Sequence, residues 1–423
     1  MIVVLAHTHP SVTSGGAEIS AYTLYRGLLA QGQRAAFVAM CPEADLPRAH
    51  AKTPDEHLVP FSHERYDSEF HLADPEVADR VVALLGELGA TTVVFHHFLF
   101  FGINTVRRAA RDPRWRSLLV LHEFLAICHH HGQMVTRPAL RLCNASSPAA
   151  CGKCFPERSP EHFMVRRAAL LEHFASIDAF VSPSQFLKDR FVDWGLAAER
   201  IAVIENGVPH LPGTEDPVRE PADDEPVVIG FFGQINPFKG VDLILDALEL
   251  LARDKELSQR VRLRVHGPMV GLTPEFTARF EKLATGSPVL DYRGPYQNDR
   301  VFELMRGCDY VLMASKWWEN SPVVIQEAYA CGRPLIVPGI GGMAEKIHDG
   351  VTGLHFQIGD ARDLLRAWAL AARPGMAARL RQHLPAVSTG EDMARHYLAL
   401  IERCPAVQSP PEVLTSEIGR AHV

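Results

Sequence analysis

The sequence lacks three features that mark common functional classes. It has no excess of positive charge, because 43 Lys and Arg residues stand against 50 Asp and Glu residues, a formal net charge of −7. It has no apolar run near the length of a membrane span. It opens on MIVVLAH, without a positively charged leader. These absences argue against a general nucleic-acid binder and predict a cytoplasmic protein with no transmembrane segment and eight reduced cysteines.

Two motifs of cofactor chemistry are also missing. The turn after the first predicted strand, SVTSGGAE, carries Gly15 and Gly16 but not the three spaced glycines of a dinucleotide-binding fingerprint. A Rossmann dehydrogenase is therefore disfavoured. No Asp-x-Asp motif stands at the end of a predicted strand, so we expect no catalytic divalent metal.

The sequence does contain a repeated alternation of short apolar strands and helices. Strands at Ile2–Ala6 and Ala179–Ser182 and a helix at Val241–Ala252 are examples. Buried strands that alternate with helices are typical of a parallel sheet covered by helices on both faces. With 423 residues, the chain is too long for one compact core, so we predict an α/β protein of two doubly wound Rossmann-like domains facing a cleft.

A proline-rich and acidic stretch separates the two halves of the chain and has the composition of a linker. The predicted divisions are a first domain at 1–206 with a cysteine-rich insertion at 128–154, a linker at 207–226, a second domain at 227–387, a helix at 388–404 and a tail at 405–423. The tail ends in SEIGRAHV, which resembles a translated sequencing adapter, and we expect it to be disordered or artefactual.

The segment ENSPVVIQE places Glu319 and Glu327 on either side of a helix-start signal. In Ser321-Pro322, serine is predicted as the N-cap and proline as the first helical residue. Glu319 then lies in the loop before the helix and Glu327 on its second turn. The free backbone N–H groups of Val323 and Val324 suit an anion, whereas carboxylates beside a phosphate suit sugar hydroxyls. Two glutamates alone, without further motifs, are more simply explained as a solvated helix flank.

Two further segments strengthen the interpretation of a phosphate-binding cleft. GFFGQINPFKG reads as strand, glycine loop and helix start, and Lys239 stands where a lysine can contact a diphosphate. In GIGGMAEKIHDGVTG, Gly341 and Gly342 are expected to bring the backbone close to a ligand.

Taken together, these stretches resemble the retaining GT-B glycosyltransferases of family 4, also called glycosyl transferases group 1. The resemblance covers nearly the whole chain and is strongest over residues 227–356, where the motifs occur in the family's order. It implies that Glu327 holds the ribose hydroxyls of a sugar-nucleotide donor and that Glu319 lies near the transferred sugar. It also implies that Lys239 neutralises the donor diphosphate.

The resemblance extends to four more donor-side positions. It implies that Gly16, with Gly15 beside it, approaches the diphosphate from the first domain, and that Tyr296 is a neighbour of the nucleobase. At Gln234 the family often has an arginine. That departure weakens the diphosphate clamp or moves its second cation elsewhere.

Three histidines follow predicted strands of the first domain. His122 ends the strand in SLLVLHEF, where the family carries a histidine close to the donor sugar and the reaction centre. A neutral imidazole there can hydrogen-bond a sugar hydroxyl. His96 and His97, at another strand end, are candidates for acceptor contacts. Each of the three is also compatible with a residue of the cleft wall whose hydrogen bonds are made within the protein. The aromatic run Phe98–Phe101 is compatible with packing beneath a loop or with contact to a lipid-linked acceptor.

The cysteine-rich insertion carries four thiols with the spacing C-x14-C-x7-C-x2-C, at Cys128, Cys143, Cys151 and Cys154. That spacing is compatible with a tetrahedral structural zinc, which would supply folding energy to a polar, proline-broken loop. Reduced thiols, disulfides and an iron–sulfur cluster are alternatives, and His129, His130 or His131 could replace a thiol. Cys41, Cys308, Cys331 and Cys404 stand singly and are expected to be packing residues.

The function that the resemblance implies is transfer of a hexose-type sugar, with retention, from a nucleoside diphosphate sugar to an acceptor hydroxyl in glycan, polysaccharide or glycolipid synthesis. The acceptor would be a glycan, a lipid-linked molecule or a small molecule, with peripheral membrane contact in the lipid-linked case. A sugar-nucleotide epimerase or a glycosyl phosphorylase would use the same fold. A non-catalytic sugar-nucleotide-binding protein would be expected to lose Glu327 or Lys239, and a zinc-ribbon nucleic-acid module is disfavoured by the negative charge.

Overall fold

The computed structural model describes residues 1–13, 15–209 and 225–404. Most of the predicted linker at 207–226, and the whole predicted tail at 405–423, lie outside these ranges. The predicted domain limits therefore stay predictions. No helix within the described ranges is long and apolar enough to cross a membrane.

The first half of the chain forms a parallel sheet of seven strands in the order β3-β2-β1-β4-β5-β6-β7. The strands are β1 (Ile2–Ala6), β2 (Ala35–Pro42), β3 (Glu56–Phe61), β4 (Thr92–His96), β5 (Arg116–Val120), β6 (Ala179–Ser182) and β7 (Ile201–Val203). The helices between them are α1 (Gly16–Ala30), α2 (Pro75–Glu87), α3 (Ile103–Ala110), α4 (Pro148–Cys154), α5 (Pro160–Phe174) and α6 (Gln185–Trp194). β1, β4 and β6 are buried along their whole length, as expected for strands covered on both faces.

The second half forms a parallel sheet of six strands in the order β10-β9-β8-β11-β12-β13. The strands are β8 (Val227–Phe232), β9 (Val261–His266), β10 (Leu290–Gly294), β11 (Tyr310–Leu312), β12 (Leu335–Pro338) and β13 (Gly353–Phe356). The helices are α7 (Val241–Leu251), α8 (Lys255–Arg260), α9 (Pro274–Gly286), α10 (Val301–Arg306), α11 (Val323–Ala330), α12 (Gly341–Lys346), α13 (Ala361–Ala371), α14 (Met376–Arg381) and α15 (Gly390–Arg403). The predicted fold class, two Rossmann-like parallel α/β units, is confirmed.

The last helix, α15, returns to the first sheet and packs against α1. Its apolar face, which includes Tyr397, is buried in the core that β1 and α1 form. Gly27 of α1 makes the approach possible, because a β-carbon there would lie 2.1 Å from the Gly390 carbonyl oxygen. The Thr389 hydroxyl accepts the Asp392 N–H, and the Asp392 carboxylate accepts the Thr389 N–H, which completes a capping box. The described part of the chain thus ends on the first unit, with α15 packed against α1.

Candidate functional site

A cavity of about 1010 Å³ lies between the carboxyl ends of the two sheets, and both units line it. Most of the predicted site residues face it. Those that line it are Gly15, Gly16, His97, His122, Gln234, Lys239, Tyr296, Glu319, Val323, Val324 and Glu327. His96, Gly341 and Gly342 are not among the lining residues. The structure therefore brings together residues that are up to 312 positions apart (Gly15 and Glu327).

Glu319 and Lys239 form a direct ion pair at the cavity wall. The Lys239 Nζ lies 2.6 Å from Glu319 Oε1, which also accepts hydrogen bonds from the Ser315 hydroxyl at 2.7 Å and the Trp317 indole N–H at 2.9 Å. Burial raises the pKa of Glu319, but the Lys239 charge and these hydrogen bonds outweigh it and hold the pKa below its ordinary value. Glu319 is therefore a fixed carboxylate, oriented by three donors.

Trp317 holds this pair in place from a second direction. Its ring stacks on Phe238, with centroids 5.1 Å apart and an interplanar angle of 11°, and Lys239 Nζ lies 5.4 Å from the Trp317 centroid. The sequence analysis did not single out Ser315 or Trp317. The signal was available, since both lie within four residues of Glu319 on the same loop.

The helix that follows, α11, begins one residue later than the sequence predicts. Pro322 is the N-cap and Val323 the first helical residue, so the prediction of Ser321 as the N-cap is wrong. The Ser321 hydroxyl instead donates to the Glu205 carboxylate across the cleft, a tertiary contact that the local pattern does not encode. Val323 and Val324 still supply the first amides of the helix, which have no intrahelical acceptor.

The N-terminus of α1 faces that of α11 across the cleft. Gly16 is the first residue of α1, and a β-carbon built there would lie 3.8 Å from Val323 Cγ2. Gly15, the N-cap, makes no side-chain cap hydrogen bond. Two helix starts therefore meet at one place, and their positive dipole ends favour an anion between them; in the first turn of α1, the Glu18 carboxylate accepts one backbone N–H.

Glu327 is a buried carboxyl group without a protein partner among the described residues. It is 5% exposed, lines the cavity, and burial raises its pKa to about 7. Tyr296 is close enough for the Glu327 charge to contribute to its raised pKa, after burial as the larger cause. A buried carboxyl group that faces open space normally finds its hydrogen bonds in a ligand or in water.

Gln234 is exposed at the rim of the cavity, and its side-chain oxygen lies 3.3 Å from the Asn236 side-chain nitrogen. Among the described residues that line the cavity, Lys239 is the only lysine or arginine. The described residues that line the cavity thus include no second lysine or arginine that could replace the arginine that the family often has at position 234.

Gly341 and Gly342 are not among the residues that line the cavity, and the expectation that they approach a ligand stays a prediction. A β-carbon at Gly342 would lie 1.7 Å from the Asn320 carbonyl oxygen, and the Gly342 N–H donates to the Glu319 carbonyl at 2.8 Å. At Gly341, with φ at +57°, a β-carbon would lie 3.1 Å from the same carbonyl of Glu319. The glycines support the loop that carries Glu319, because only residues without a side chain allow this backbone approach.

His122 and His96 form a pair behind the cavity wall. The His96 Nδ1 lies 3.0 Å from His122 Nε2, and the His122 carbonyl accepts the Asn320 amide N–H at 3.0 Å. Burial, reinforced by neighbouring histidines, lowers the pKa of His122 to about 3 and that of His96 well below its ordinary range. His122 is therefore a neutral imidazole that lines the cavity, whereas His96 is a buried support for it.

His97 pairs with Glu123, a residue that the sequence analysis did not single out. The His97 Nε2 lies 2.7 Å from Glu123 Oε1, and both residues line the cavity. Burial raises the pKa of Glu123 and lowers that of His97, so the pair holds one proton and carries no net charge. Glu18, also missed, accepts from the Thr8 hydroxyl at 2.7 Å and lies 3.0 Å from His7 Nε2.

The structure does not support the predicted zinc site. Among the described residues, which include Cys128, Cys143, Cys151 and Cys154, no group of three or more His, Cys, Asp or Glu side chains is arranged to hold a metal ion. All four cysteines are free thiols. The residues before them, 124–127, are buried in the core of the first unit, and Cys128 and Cys143 pack against that core. The insertion shares its neighbour's core, so burial there contributes to its stability without a metal.

The insertion also contacts the loop of Glu319 from the second unit. The Trp318 indole N–H donates to the Cys143 carbonyl at 2.9 Å, and the Trp318 ring lies 5.2 Å from that of Phe186 on α6. The Arg190 guanidinium lies over both rings, 5.1 Å from Phe186 and 5.4 Å from Trp318. The cysteine-rich segment thus forms part of the contact between the units, beside the cavity.

Comparison with known sequences agrees with this geometry. Residues 14–210 match the family described as Glycosyltransferase Family 4, and residues 226–371 match Glycosyl transferases group 1. Similar curated proteins include the D-inositol 3-phosphate glycosyltransferase of Geodermatophilus obscurus, which is 31% identical over 43% of this chain and 42% of the relative. The enzyme of the same name from Rhodococcus jostii is 31% identical over 50% of this chain and 48% of the relative. The match therefore spans about half the length of these relatives or less.

Solved structures share the fold at low sequence identity. Sucrose-phosphate synthase from Thermosynechococcus elongatus superposes with a TM-score of 0.68, at 17% identity over 95% of this chain and 98% of that one. Anabaena Alr3699/HepE in complex with UDP and glucose superposes with a TM-score of 0.62, at 16% identity over 95% and 99%. With the two family matches covering most of the sequence, this chain belongs to family 4 of the glycosyltransferases and has the GT-B architecture.

Proposed function

We propose that this protein is a retaining glycosyltransferase that moves a sugar from a nucleoside diphosphate sugar to an acceptor hydroxyl. The observation that carries the proposal is Glu327, a buried carboxyl group with no described protein partner, in the same cavity as the Glu319–Lys239 pair and two facing helix starts. Hydroxyl groups of a ligand are natural partners for the carboxylate, and phosphate oxygens for the cation and amides.

The donor diphosphate fits between the starts of α1 and α11. There the amides of Gly16, Val323 and Val324 are available, and Lys239 supplies the positive charge. As the bond between sugar and phosphate breaks, negative charge gathers on the leaving diphosphate, and fixed donors aimed at that charge lower the barrier. The structurally similar HepE was crystallised with UDP and glucose, which supports a nucleoside diphosphate sugar as the donor here.

The rest of the donor follows from this placement. Glu327 lies beyond the helix start, where it accepts from the ribose hydroxyls, and Tyr296 borders the nucleobase. Glu319, held by Lys239, Ser315 and Trp317, faces the transferred sugar. A carboxylate that is already fixed in its orientation loses little conformational freedom when it accepts from a sugar hydroxyl.

Retention fits an attack on the same face of the sugar that the diphosphate leaves. The acceptor oxygen forms a bond to the anomeric carbon as the bond to the phosphate oxygen breaks, and the acceptor proton passes to that phosphate oxygen. His122, neutral because burial lowers its pKa to about 3, serves as a hydrogen-bonding group near the sugar rather than as the base.

The first test is a thermal-shift panel of nucleoside diphosphate sugars. A ligand at about 100 times its dissociation constant adds about 2.7 kcal/mol of stability, which is readily measured. For the nucleotide selected in this way, Glu327→Gln should weaken binding by about 1.5–3 kcal/mol in calorimetry, because charged hydrogen bonds to the ribose are lost. Glu402→Gln, an exposed site on α15, is the matched control and should bind as the wild type does.

Product analysis separates the transferase from the alternatives. An epimerase alters the donor without an acceptor, and a phosphorylase releases a sugar phosphate when inorganic phosphate is added. The proposal is wrong if no nucleotide sugar binds, or if Glu327→Gln binds the donor as tightly as the control. It is also wrong if product forms with the donor alone.

A further inference from the structure

We infer that the acceptor of this protein is an uncharged polyol that carries no phosphate; the inference rests on the proposed function and names its second substrate class. The first unit contributes one wall of the cavity, which we call the acceptor wall. It is defined here by Glu18, Glu69, His71, His97, His122 and Glu123. Hydrogen-bonding groups are abundant on this wall, whereas fixed positive charge is missing from its described residues.

Phosphate groups in proteins are usually bound by arginine, lysine or helix N-termini. Lys239 is the only lysine or arginine among the described lining residues, and it belongs to the opposite unit, where it is paired with Glu319 at 2.6 Å. The nearby start of α1 faces α11 and is assigned to the donor diphosphate. Among the described residues, the acceptor wall therefore has no lysine or arginine that could bind a phosphate group on the acceptor.

Two arginines stand behind the wall, and both are engaged with protein atoms. Arg166 is 3% exposed and donates to the Leu125 carbonyl at 2.7 Å, the Ala126 carbonyl at 2.8 Å and the Glu69 carbonyl at 3.2 Å. Arg158 donates to the Glu69 carboxylate at 3.0 Å, which offsets the charge of that side chain. Neither guanidinium lines the cavity.

The groups that do face the cavity suit hydroxyls. The His97–Glu123 pair holds one proton at a separation of 2.7 Å, and Glu123 Oε2 has no hydrogen-bond partner among the described residues. Burial lowers the pKa of His71 and of His122 to about 3, so both imidazoles are neutral at physiological pH. Neutral imidazoles and a protonated carboxyl group can each donate and accept, as sugar and cyclitol hydroxyls do.

This chemistry favours an acceptor without the phosphate that appears in the name of the relatives called D-inositol 3-phosphate glycosyltransferases. A phosphate dianion placed against the neutral imidazoles of His71 and His122 and against Glu18, which already pairs with His7 at 3.0 Å, would lose its hydration without gaining a lysine or arginine as counter-charge. A polyol loses less hydration and finds partners for its hydroxyls. Preference for the phosphate-free acceptor is therefore expected.

The test uses the full chain, the donor selected by thermal shift, and two acceptor pools matched compound by compound. One pool holds myo-inositol, glucose, mannose and glycerol, and the other holds their monophosphates. Product is measured by mass spectrometry as initial rates at equal concentration. We expect the phosphate-free pool to react about tenfold faster or more, the factor that about 1.4 kcal/mol produces.

A pair of variants ties that preference to the acceptor wall. Glu123→Gln should raise the KM of the reacting polyol about fivefold while the donor dissociation constant stays within about twofold of wild type, since fivefold corresponds to about 1 kcal/mol, the typical contribution of one neutral hydrogen bond. Glu402→Gln is the control and should change neither quantity.

Each remaining outcome decides the matter. Equal or faster reaction of the phosphorylated pool overturns the inference, as does failure of both pools when the donor still binds. An unchanged KM in Glu123→Gln also counts against it. Failure of every nucleotide sugar to bind refutes the proposed function instead, so the two failures are distinguishable.

Discussion

Lys239→Met offers a sharp test of the donor site, because it removes one charge from a defined pair. The side chains of Lys239 and Glu319 are 30% and 13% exposed, and their atoms approach to 2.6 Å. If Lys239 also contacts the diphosphate, the variant loses a charge-assisted hydrogen bond of about 1.5–3 kcal/mol. That corresponds to roughly a 10- to 150-fold rise in the donor dissociation constant, measured by calorimetry at pH 7.5.

The same substitution should change how stability depends on pH. In the wild type the pKa of Glu319 is held below its ordinary value, so the stability it contributes is present above that ordinary value and is lost as pH falls through the lowered pKa. Without Lys239, burial is the largest remaining influence and the pKa of Glu319 rises. The variant should therefore lose more melting temperature relative to wild type at pH 8 than at pH 5.

A neighbouring ion pair provides the matched control. Lys316 lies on the same loop as Glu319 and pairs with Asp242, with exposed fractions of 36% and 35%, and neither residue lines the cavity. Lys316→Met should cost about 1 kcal/mol or less and leave donor binding unchanged. If Lys239→Met binds the donor as Lys316→Met does, the pair is structural and the diphosphate must lie elsewhere.

Three further predictions concern the rest of the site. Burial raises the pKa of Glu327 to about 7, so the stability linked to its proton is fully present below the ordinary glutamate pKa of 4.5 and is lost as pH rises through 7. Glu327→Gln should flatten that decline of the melting temperature with pH. A pH profile identical to that of the wild type would contradict this prediction. His122→Ala should lower turnover at saturating donor while the donor dissociation constant stays near wild type; full turnover would remove His122 from the chemical step. Trp317→Phe keeps a ring to stack on Phe238 but removes the N–H that holds Glu319, so turnover should fall; turnover equal to that of the wild type would show that the bond is dispensable.

The fold could be predicted from the sequence because its signals are local and repeated. Strands such as Ile2–Ala6 and Ala179–Ser182 have the predicted limits, since an apolar run bounded by polar residues fixes where a fully buried strand begins and ends. Helix α7, predicted at Val241–Ala252, ends one residue earlier, at Leu251. Such ends depend on the fraying of the last turn, which a residue pattern does not determine.

The positions of site residues could be predicted only where a sequence motif marks the start of a helix and the residues lie at a fixed distance from it along the chain. Glu319 before α11 and Glu327 within it follow from the chain itself. Ser321 does not, because its hydroxyl bonds to Glu205, a residue 116 positions away. Gly341 and Gly342 were expected to approach a ligand, which stays a prediction; the close approach that the structure shows is to the backbone of Glu319 and Asn320.

The zinc prediction lacks support from the structure for a similar reason. The spacing of the four cysteines carries no information on what lies next to the insertion in the folded protein. Met134 and residues 124–127 are buried in the core of the first unit, so this core supplies the stability that the sequence analysis assigned to a metal. Trp318 then joins the segment to the loop of Glu319 through the Cys143 carbonyl.

The two walls of the cavity differ in charge in the way that the proposed reaction requires. On the donor side, Lys239 and the starts of α1 and α11 concentrate positive potential where the leaving diphosphate gains negative charge. On the acceptor wall, paired carboxyl groups and neutral imidazoles supply hydrogen bonds without net positive charge. A cation there would compete with Lys239 for the phosphates and place the donor in the wrong orientation. Under the proposed function, this separation of charge across the cleft directs the diphosphate to one wall and leaves the other to recognise hydroxyls.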